Sequence, residues 1–453
     1  MRPRANGKRL SRRRMLKTGA TALGGGALAL GGAAQAQQGQ APAIGTGTQT
    51  GRTFRGLVRH DSTLDVQEMR LLPIDPRQVV IRSLAVAPCY TIVRGALATN
   101  PIRRAEVPNH CGFGVVEAVG AMVKRVQVGD NVVVAGTSQC GQCYQCLHGR
   151  PDYCQFTFFS NAPGVEPFPP FAQFRDGTPV YAQAGIGGMS EIMTAFEEYC
   201  VPVFTDLPAA QLTLLGDQLA SGFAAGHAEM VFQPGSDVVV FGAGPVGLGA
   251  VQAARVMGAG QVIVVDPIRY RREFAMKMGA TITLDANAEG DGIVERIREL
   301  CRGPNDRRFA GGTTWGRAGN AVISRGADFV VEAAGLQAVP PKVETQPDPT
   351  NVKTVLQAWD CARAGGHVML MGFTLQPVPF PGASLALFGR TLHPGQQGGL
   401  HVMRDLPRYV KLIEKGKIDA QSVITKRYTL DESRQAVQDT ADRTIITGVI
   451  EFS

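Results

Sequence analysis

Two kinds of hydrophobic pattern divide this chain. From Thr53 the apolar positions fall in short runs broken by turns: Val79–Ala87, Gly114–Val119 and Asn131–Ala135, the last following the Val128-Gly129-Asp130 turn. Gly185–Glu191 is a glycine turn, and Tyr199–Phe204 reads as the strand beyond it. Short strands with frequent turn residues predict an all-β lobe. From Val238 the pattern changes. Strands apolar along their whole length (Val238–Phe241, Gln261–Val265, Thr281–Leu284, Asp328–Glu332, His367–Gly372) alternate with helical periodicity at Val246–Met257, Arg271–Met278, Gly292–Cys301 and Val352–Ala364. Strands with no polar face are buried on both sides, so this half predicts a doubly wound parallel sheet and an α/β fold. Ser384–Thr391 reads as an edge strand, His401–Lys415 as a helix returning to the first lobe, and Thr444–Phe452 as a final strand. Gly303–Gly319 and Leu336–Asn351 lack periodicity and read as insertions. The expected organisation is a first lobe at 53–216, a parallel-sheet domain at 217–398, and a return to the first lobe at 399–453.

Gly242-Ala243-Gly244-Pro245-Val246-Gly247 joins the first strand of the second half to its helix, and Asp266 closes the next strand. A GxGxxG between strand and helix, with an acid about 20 residues on, is the dinucleotide fingerprint. Gly242 permits the tight turn, Gly244 lets a pyrophosphate approach the backbone, and Gly247 lets helix and strand pack closely. The helix start at Pro245 and Val246 offers N–H groups to the diphosphate. Asp266 suits ribose hydroxyls and repels a 2′-phosphate, which favours NAD. Arg269, Arg271 and Arg272 pull the other way, toward a phosphate.

Hydrophobic residues make up 44% of the 453 positions and charged residues 19%, an ordinary globular balance with room for two or more domains. The net charge of +8 comes entirely from residues 1–36, which hold eight Lys or Arg and no acid. The remainder is neutral and gives no electrostatic case for nucleic acid or an anionic membrane. Ser11-Arg12-Arg13-Arg14-Met15-Leu16-Lys17 resembles the twin-arginine export signature, Thr18–Gly32 is a mildly apolar run, and Ala34-Gln35-Ala36 fits a cleavage site. The run is too short and too glycine-rich for a transmembrane helix. Export by the twin-arginine machinery to the periplasm is the expectation, with Gln37–Gly51 as a flexible leader.

Cys140, Cys143, Cys146 and Cys154 lie within 15 residues. Four thiols so spaced can surround one zinc ion tetrahedrally with no position open, which makes a structural site. Two disulfides are the alternative that export raises, and an iron–sulfur cluster departs from both ferredoxin spacings. Phe156–Phe174 holds six phenylalanines and four prolines, either walling an apolar substrate channel or tucked onto the core. Cys200, Cys301 and Cys361 stand in apolar settings as inert thiols.

Together the four-cysteine lobe, the Val-Gly-Asp turn, the fingerprint, Gly326–Gly335, Gly389-Arg390-Thr391 and Lys411–Gly416 resemble the zinc-dependent medium-chain alcohol dehydrogenase family. The resemblance covers Thr53 to the carboxyl end. It implies a GroES-like catalytic domain with a structural zinc lobe, a Rossmann domain, two zinc ions per chain, and hydride transfer between NAD and an alcohol, aldehyde or ketone. By that likeness Cys89, His110 and Asp217 hold the catalytic zinc, leaving one position for a substrate oxygen. Thr91 is the proton-relay hydroxyl, and Gly372 and Phe373 pass the nicotinamide. The edge strand implies a homodimer or homotetramer. Several positions depart from the family pattern: Ile92 and Cys111 replace acids, Asn109 stands at a glycine position, and Arg94 takes the place of a relay histidine. Cys111 is placed beside the histidine, within reach of the same ion. An exported enzyme meets little free NAD. The combination therefore also implies a dinucleotide loaded before export and kept, reset by an external electron acceptor or a second substrate in a dismutase or lyase reaction. The departures at Ile92 and Cys111 leave a non-catalytic binding protein as the rival.

Overall fold

The computed structural model describes residues 50–158, 168–302 and 325–453. The segment expected to direct export, the stretch up to residue 49 and the Gly303–Gly319 insertion lie outside them, as does the middle of the phenylalanine-rich stretch. Thr53–Asp61 and Thr63–Leu71 form a hairpin, and with Ala172–Gln173, Pro179–Ala182 and Ile102–Val107 they close a five-stranded barrel. Beside it lies a seven-stranded sheet. Its order is Cys200–Pro202, Asn131–Val134, Gly112–Val119, Gln78–Val86, Thr447–Glu451 and Ile424–Tyr428, with Ile192–Phe196 also pairing to Gln78–Val86. The last strand thus pairs with one of the first, Ile450 opposite Val86.

The second half builds a six-stranded sheet from β1 (Asp237–Phe241), β2 (Gln261–Val265), β3 (Ile282–Leu284), β4 (Ala327–Glu332), β5 (Ala362–Leu370) and β6 (Thr391–Pro394). All neighbours are parallel, in the order β3-β2-β1-β4-β5-β6. Strand order reverses between β1 and β4, so a crevice opens at their carboxyl ends, where such sheets bind ligands. The GroES-like lobe and the Rossmann-type parallel sheet are the fold the sequence predicts.

Three elements differ from expectation. The helix from Val352 ends at Cys361, and β5 begins at Ala362 and runs through Gly365-Gly366. These glycines do not cap the helix. They lie where the β4–β5 register shifts, with Gly365 at φ +73 taking up the irregularity. Ser384–Thr391 is not a strand: Gly382–Leu387 is helical, Ser384 is buried beneath it and accepts a hydrogen bond from Trp359 Nε1, and the edge strand starts at Thr391. Tyr199–Phe204 opens with a helical turn at Glu197–Tyr199 and keeps only three strand residues, Cys200–Pro202. Of the described phenylalanines in this stretch, Phe171 joins the core against Phe54, Phe174 packs at its edge, and the half-buried Phe168 lies against Gly185.

Helices meet closely at the lobe junction. α1 (Tyr90–Ala96) follows Cys89; α2 (Gln218–Ala224), wholly buried, follows Asp217; α3 (Pro245–Met257) follows the fingerprint. A Cβ on Gly222 of α2 would collide with Val246 O of α3, and one on Gly249 would stand 2.6 Å from Leu219 O. Glycine at both positions lets these backbones touch and brings the turn before α2 beside the fingerprint. Among the described residues no helix is long and apolar enough to cross a membrane. Gly222→Ala should cost about 2–3 kcal/mol in denaturant unfolding, since the obstructing atom is backbone and the helices must part; an unchanged midpoint would show that the contact is not tight.

Candidate active site

The segments that end the strand Gln78–Val86, begin the strand Gly112–Val119, and precede α2 converge on one point. They carry Cys89, His110 and Asp217, and one ligand atom from each lies within 4.8 Å of the others. Among the described residues this set and Cys140–Cys143–Cys146–Cys154 are the groups arranged to hold a metal ion. His110 Nε2 is 3.9 Å from Asp217 Oδ2. A tetrahedral ion with bonds of about 2.0–2.3 Å holds its ligands about 3.3–3.8 Å apart, so the set needs only slight closure. Asp217 is 7% exposed, and its Oδ2 is buried with no hydrogen-bond partner, a costly arrangement that a cation relieves. Burial pushes the Cys89 thiol well up, the Asp217 charge adds to this, and the Thr91 hydrogen bond opposes it. A cation there replaces the proton. Thr91 Oγ1 lies 3.2 Å from both Cys89 Sγ and His110 Nε2.

In the four-cysteine lobe every thiol is free of disulfide. Cys140 Sγ and Cys146 Sγ are 3.9 Å apart, close to the edge of a zinc–thiolate tetrahedron. Backbone N–H groups of Gln142 and Cys143 point at Cys140 Sγ, that of Cys146 at Cys143 Sγ, and that of Cys140 at Cys154 Sγ. Such donors favour thiolates. Burial raises the Cys143 thiol, but the N–H groups of Gln155 and Cys146 and the neighbouring thiols outweigh it and bring it down to about 6.

A cavity of about 670 Å³ runs from Cys89, Thr91, His110 and Asp217 to Gly242, Gly244, Pro245, Val246 and Asp266, and Arg271, Gly372 and Phe373 also line it. Gly242 has φ +92, and a Cβ would meet Ala333 C at 2.8 Å; a Cβ on Gly247 would strike Gly242 O. At Gly244 the nearest atom is Arg271 Nη1 at 3.8 Å, so the backbone there is open to a ligand. The Asp266 carboxylate accepts from Ala243 N at 2.7 Å and Ile268 N at 2.8 Å, which anchors it beside the turn. Arg272 is turned away onto Asp285 (2.8 Å), and Arg269 pairs with Glu273. The described phenylalanines of the Phe156–Phe174 stretch do not line the cavity.

Two alcohol-dehydrogenase models match the chain. The zinc-binding dehydrogenase model covers 245–415, and the alcohol dehydrogenase GroES-like domain model covers 75–205. An NDMA-dependent alcohol dehydrogenase of Amycolatopsis methanolica is 30% identical, spanning 86% of this chain and 95% of its own. A geraniol dehydrogenase of Castellaniella defragrans is 30% identical over 86% and 94%. The solved benzyl alcohol dehydrogenase of Acinetobacter calcoaceticus has the same fold at 24% identity, with TM-score 0.72 over 89% of this chain and all of that one. The chain belongs to the zinc-type medium-chain alcohol dehydrogenase family. It is an oxidoreductase acting on alcohols.

The departures now have places in this dehydrogenase. Ile92 lies in the apolar core of the first lobe. Cys111 is buried beside the ligands and is not one of the three residues whose ligand atoms converge. Burial raises its thiol, with the Asp217 charge adding to the effect. Asn109 does more than fill a glycine position. At φ +77 and fully buried, it accepts from Cys89 N (3.3 Å) and donates to Ala87 O and Cys111 O (both 3.2 Å), tying together the segments that carry Cys89 and His110. Asparagine tolerates this conformation better than most residues, and that preference was its one sequence signal. Arg443, Tyr90 and Gln346 were not foreseen; Arg443 lines the cavity, lies over the Tyr90 ring and points Nη1 at Gln346 Oε1. Asn109→Ala should cost about 2–4 kcal/mol from lost buried hydrogen bonds and a left-handed backbone. Asn109→Gly should cost about 1 kcal/mol less, because glycine accepts that φ. Denaturant unfolding of both variants checks the order, and equal losses would remove the backbone from the argument.

Proposed function

We propose that this enzyme transfers hydride between an alcohol and NAD, with one zinc ion at Cys89, His110 and Asp217 and a second at Cys140, Cys143, Cys146 and Cys154. One observation carries the reading: the three-residue ligand set and the open Gly244 backbone share a single cavity. When bound, zinc supplies Lewis acidity toward an alcohol or carbonyl oxygen, and NAD supplies a hydride acceptor or donor. The chain's own residues handle the proton. Thr91 Oγ1, within hydrogen-bond reach of two ligand atoms, is placed to accept the proton of a substrate hydroxyl as it gives up its own. Arg94 cannot act as a titrating relay, so the proton passes from Thr91 to solvent in the cavity. Asp266 favours NAD, and the pairing of Arg272 with Asp285 and Arg269 with Glu273 takes those cations away from a 2′-phosphate. Arg271 and Arg443 remain on the cavity wall to face the diphosphate.

The chain is further read as exported through the twin-arginine machinery to the periplasm, on the strength of Ser11–Ala36. A retained dinucleotide fits that compartment, and segment 336–351 supports it. Ala338 N donates to Tyr90 Oη (3.2 Å), Lys342 pairs with Asp442 (2.8 Å), and Val339 packs into the first lobe's core, so the segment straps the cofactor domain to the other lobe. Small-molecule alcohols or carbonyls are the substrates, an external acceptor resets the cofactor, and β6 offers an edge for a homodimer or homotetramer.

Asp217→Ala should nearly abolish turnover with the fold intact, and Thr91→Val should lower kcat about 10²–10⁴-fold with metal and dinucleotide still bound; wild-type rates in both would place the chemistry elsewhere. Retention is tested separately. The mature protein, dialysed at length and then denatured, should release close to one equivalent of NAD(H). Less than a tenth of an equivalent, with activity that depends on added NAD, would leave the dehydrogenase reading standing and remove the resident cofactor.

A further inference from the structure

We propose that Gln397 is the positioning residue for Asp217, fixing the carboxylate so that one oxygen alone is presented to the ion. The inference rests on the reading of Asp217 as a zinc ligand. Gln397 lies in Gln396–Gly399, the turn after β6 that leads back to the first lobe. Its Nε2 donates to Asp217 Oδ1 at 3.1 Å, and its Oε1 accepts from Ser221 Oγ at 2.8 Å. Ser221 Oγ also lies 2.6 Å from Asp217 O, so its single proton is shared between the Gln397 amide oxygen and the backbone of the ligand residue. Oδ1 is thereby occupied, whereas Oδ2 is buried without a donor and faces His110.

The backbone is distorted to deliver this amide. Gln397, Gly398 and Gly399 have φ of +47, +63 and +78, a run of three left-handed residues whose first is not glycine. Strain of this kind persists where the surroundings enforce it, and it concentrates at functional sites. Gly398 and Gly399 press the turn onto α2 and the helical turn Ala225–Glu229 that follows it: a Cβ on Gly398 would strike Ser221 O, and one on Gly399 would stand 2.9 Å from Glu229 Cβ. Opposite, a Cβ on Gly136 would lie 2.9 Å from His110 Nδ1 and 3.2 Å from Gln397 Nε2, so the absent side chain makes room for ring and amide together.

A neutral donor suits this position. Asp217 keeps its full charge for the ion, one lone pair is spent, and rotation of the carboxylate toward two-oxygen ligation is blocked. The amide comes from the turn just beyond the edge strand of the cofactor sheet, so the turn that follows β6 sets the geometry of a ligand before α2.

The test uses the full mature protein loaded with cobalt(II), read by visible absorption and by competition with a chelator. Gln397→Leu should weaken cobalt at this site about 10–100-fold, the range for removing a group that orients a ligand, and should change the visible bands. The ion at Cys140–Cys154 should stay bound, and circular dichroism should show the fold retained. Gln397→Glu, which keeps the length but loses the donor, should weaken cobalt as well. In an Asp217→Cys background, where a thiolate has no second oxygen to restrain, Gln397→Leu should change affinity less than twofold. Wild-type affinity and bands in Gln397→Leu, or an equal loss in the Asp217→Cys background, would overturn the proposal. Wild-type affinity in Asp217→Ala would instead remove the ligand assignment beneath it.

Discussion

Asp217 Oδ2 is a carboxylate oxygen buried at the lobe junction with no donor among the described residues. The oxygen itself is shielded from solvent although the residue borders the cavity. Leaving such an oxygen unpaired is among the more expensive arrangements a fold can keep. Its neighbours are the Cys89 thiol, which burial holds in its protonated form, and His110, so the point combines negative charge, a releasable proton and a lone pair. A divalent cation answers all three at once. The surrounding structure serves to keep this combination in place: the tight packing of α2 on α3, the left-handed Asn109 between the first two ligand segments, and the turn that brings in Gln397.

The two metal-type clusters are built on opposite principles. At Cys140–Cys154 four thiols come from one short stretch, and the backbone N–H groups of that stretch point back at the sulfurs. Such a cluster is local, complete, and independent of the rest of the fold. Cys89, His110 and Asp217 are spread over more than a hundred residues and meet only when the first lobe's sheet and the helix before the cofactor domain are both formed. Three ligands leave a side open, and that side is the cavity that continues to the fingerprint. Local and closed suits a structural ion; distant and open suits a catalytic one.

Legibility in the sequence followed the same division. Apolar runs located every strand of the parallel sheet but the last, because strands buried on both faces must be apolar throughout. The fingerprint glycines were readable because each has a distinct physical need, visible as a positive φ at Gly242 and an open flank at Gly244. The edge strand was misplaced: one edge of β6 pairs with no strand among the described residues, and the preceding Ser384–Leu387 has a helix-forming composition that alternation alone did not separate from strand. Gly365-Gly366 looked like a helix cap because a positive φ serves a cap and a register shift equally well. Gln397 gave no signal. An amide in a glycine-rich turn acquires meaning only when folding brings it 180 residues back to Asp217.

The central claim is that the chain builds two zinc sites of different character, and elemental analysis of the purified mature protein tests it most directly. The account predicts two zinc ions per chain, with the ion at Cys140–Cys154 the slower to leave on exposure to a chelator and the one at Cys89, His110 and Asp217 the first lost. One zinc per chain confined to the four-cysteine lobe would contradict the catalytic site. Disulfides in place of the Cys140–Cys154 thiols would contradict the structural one.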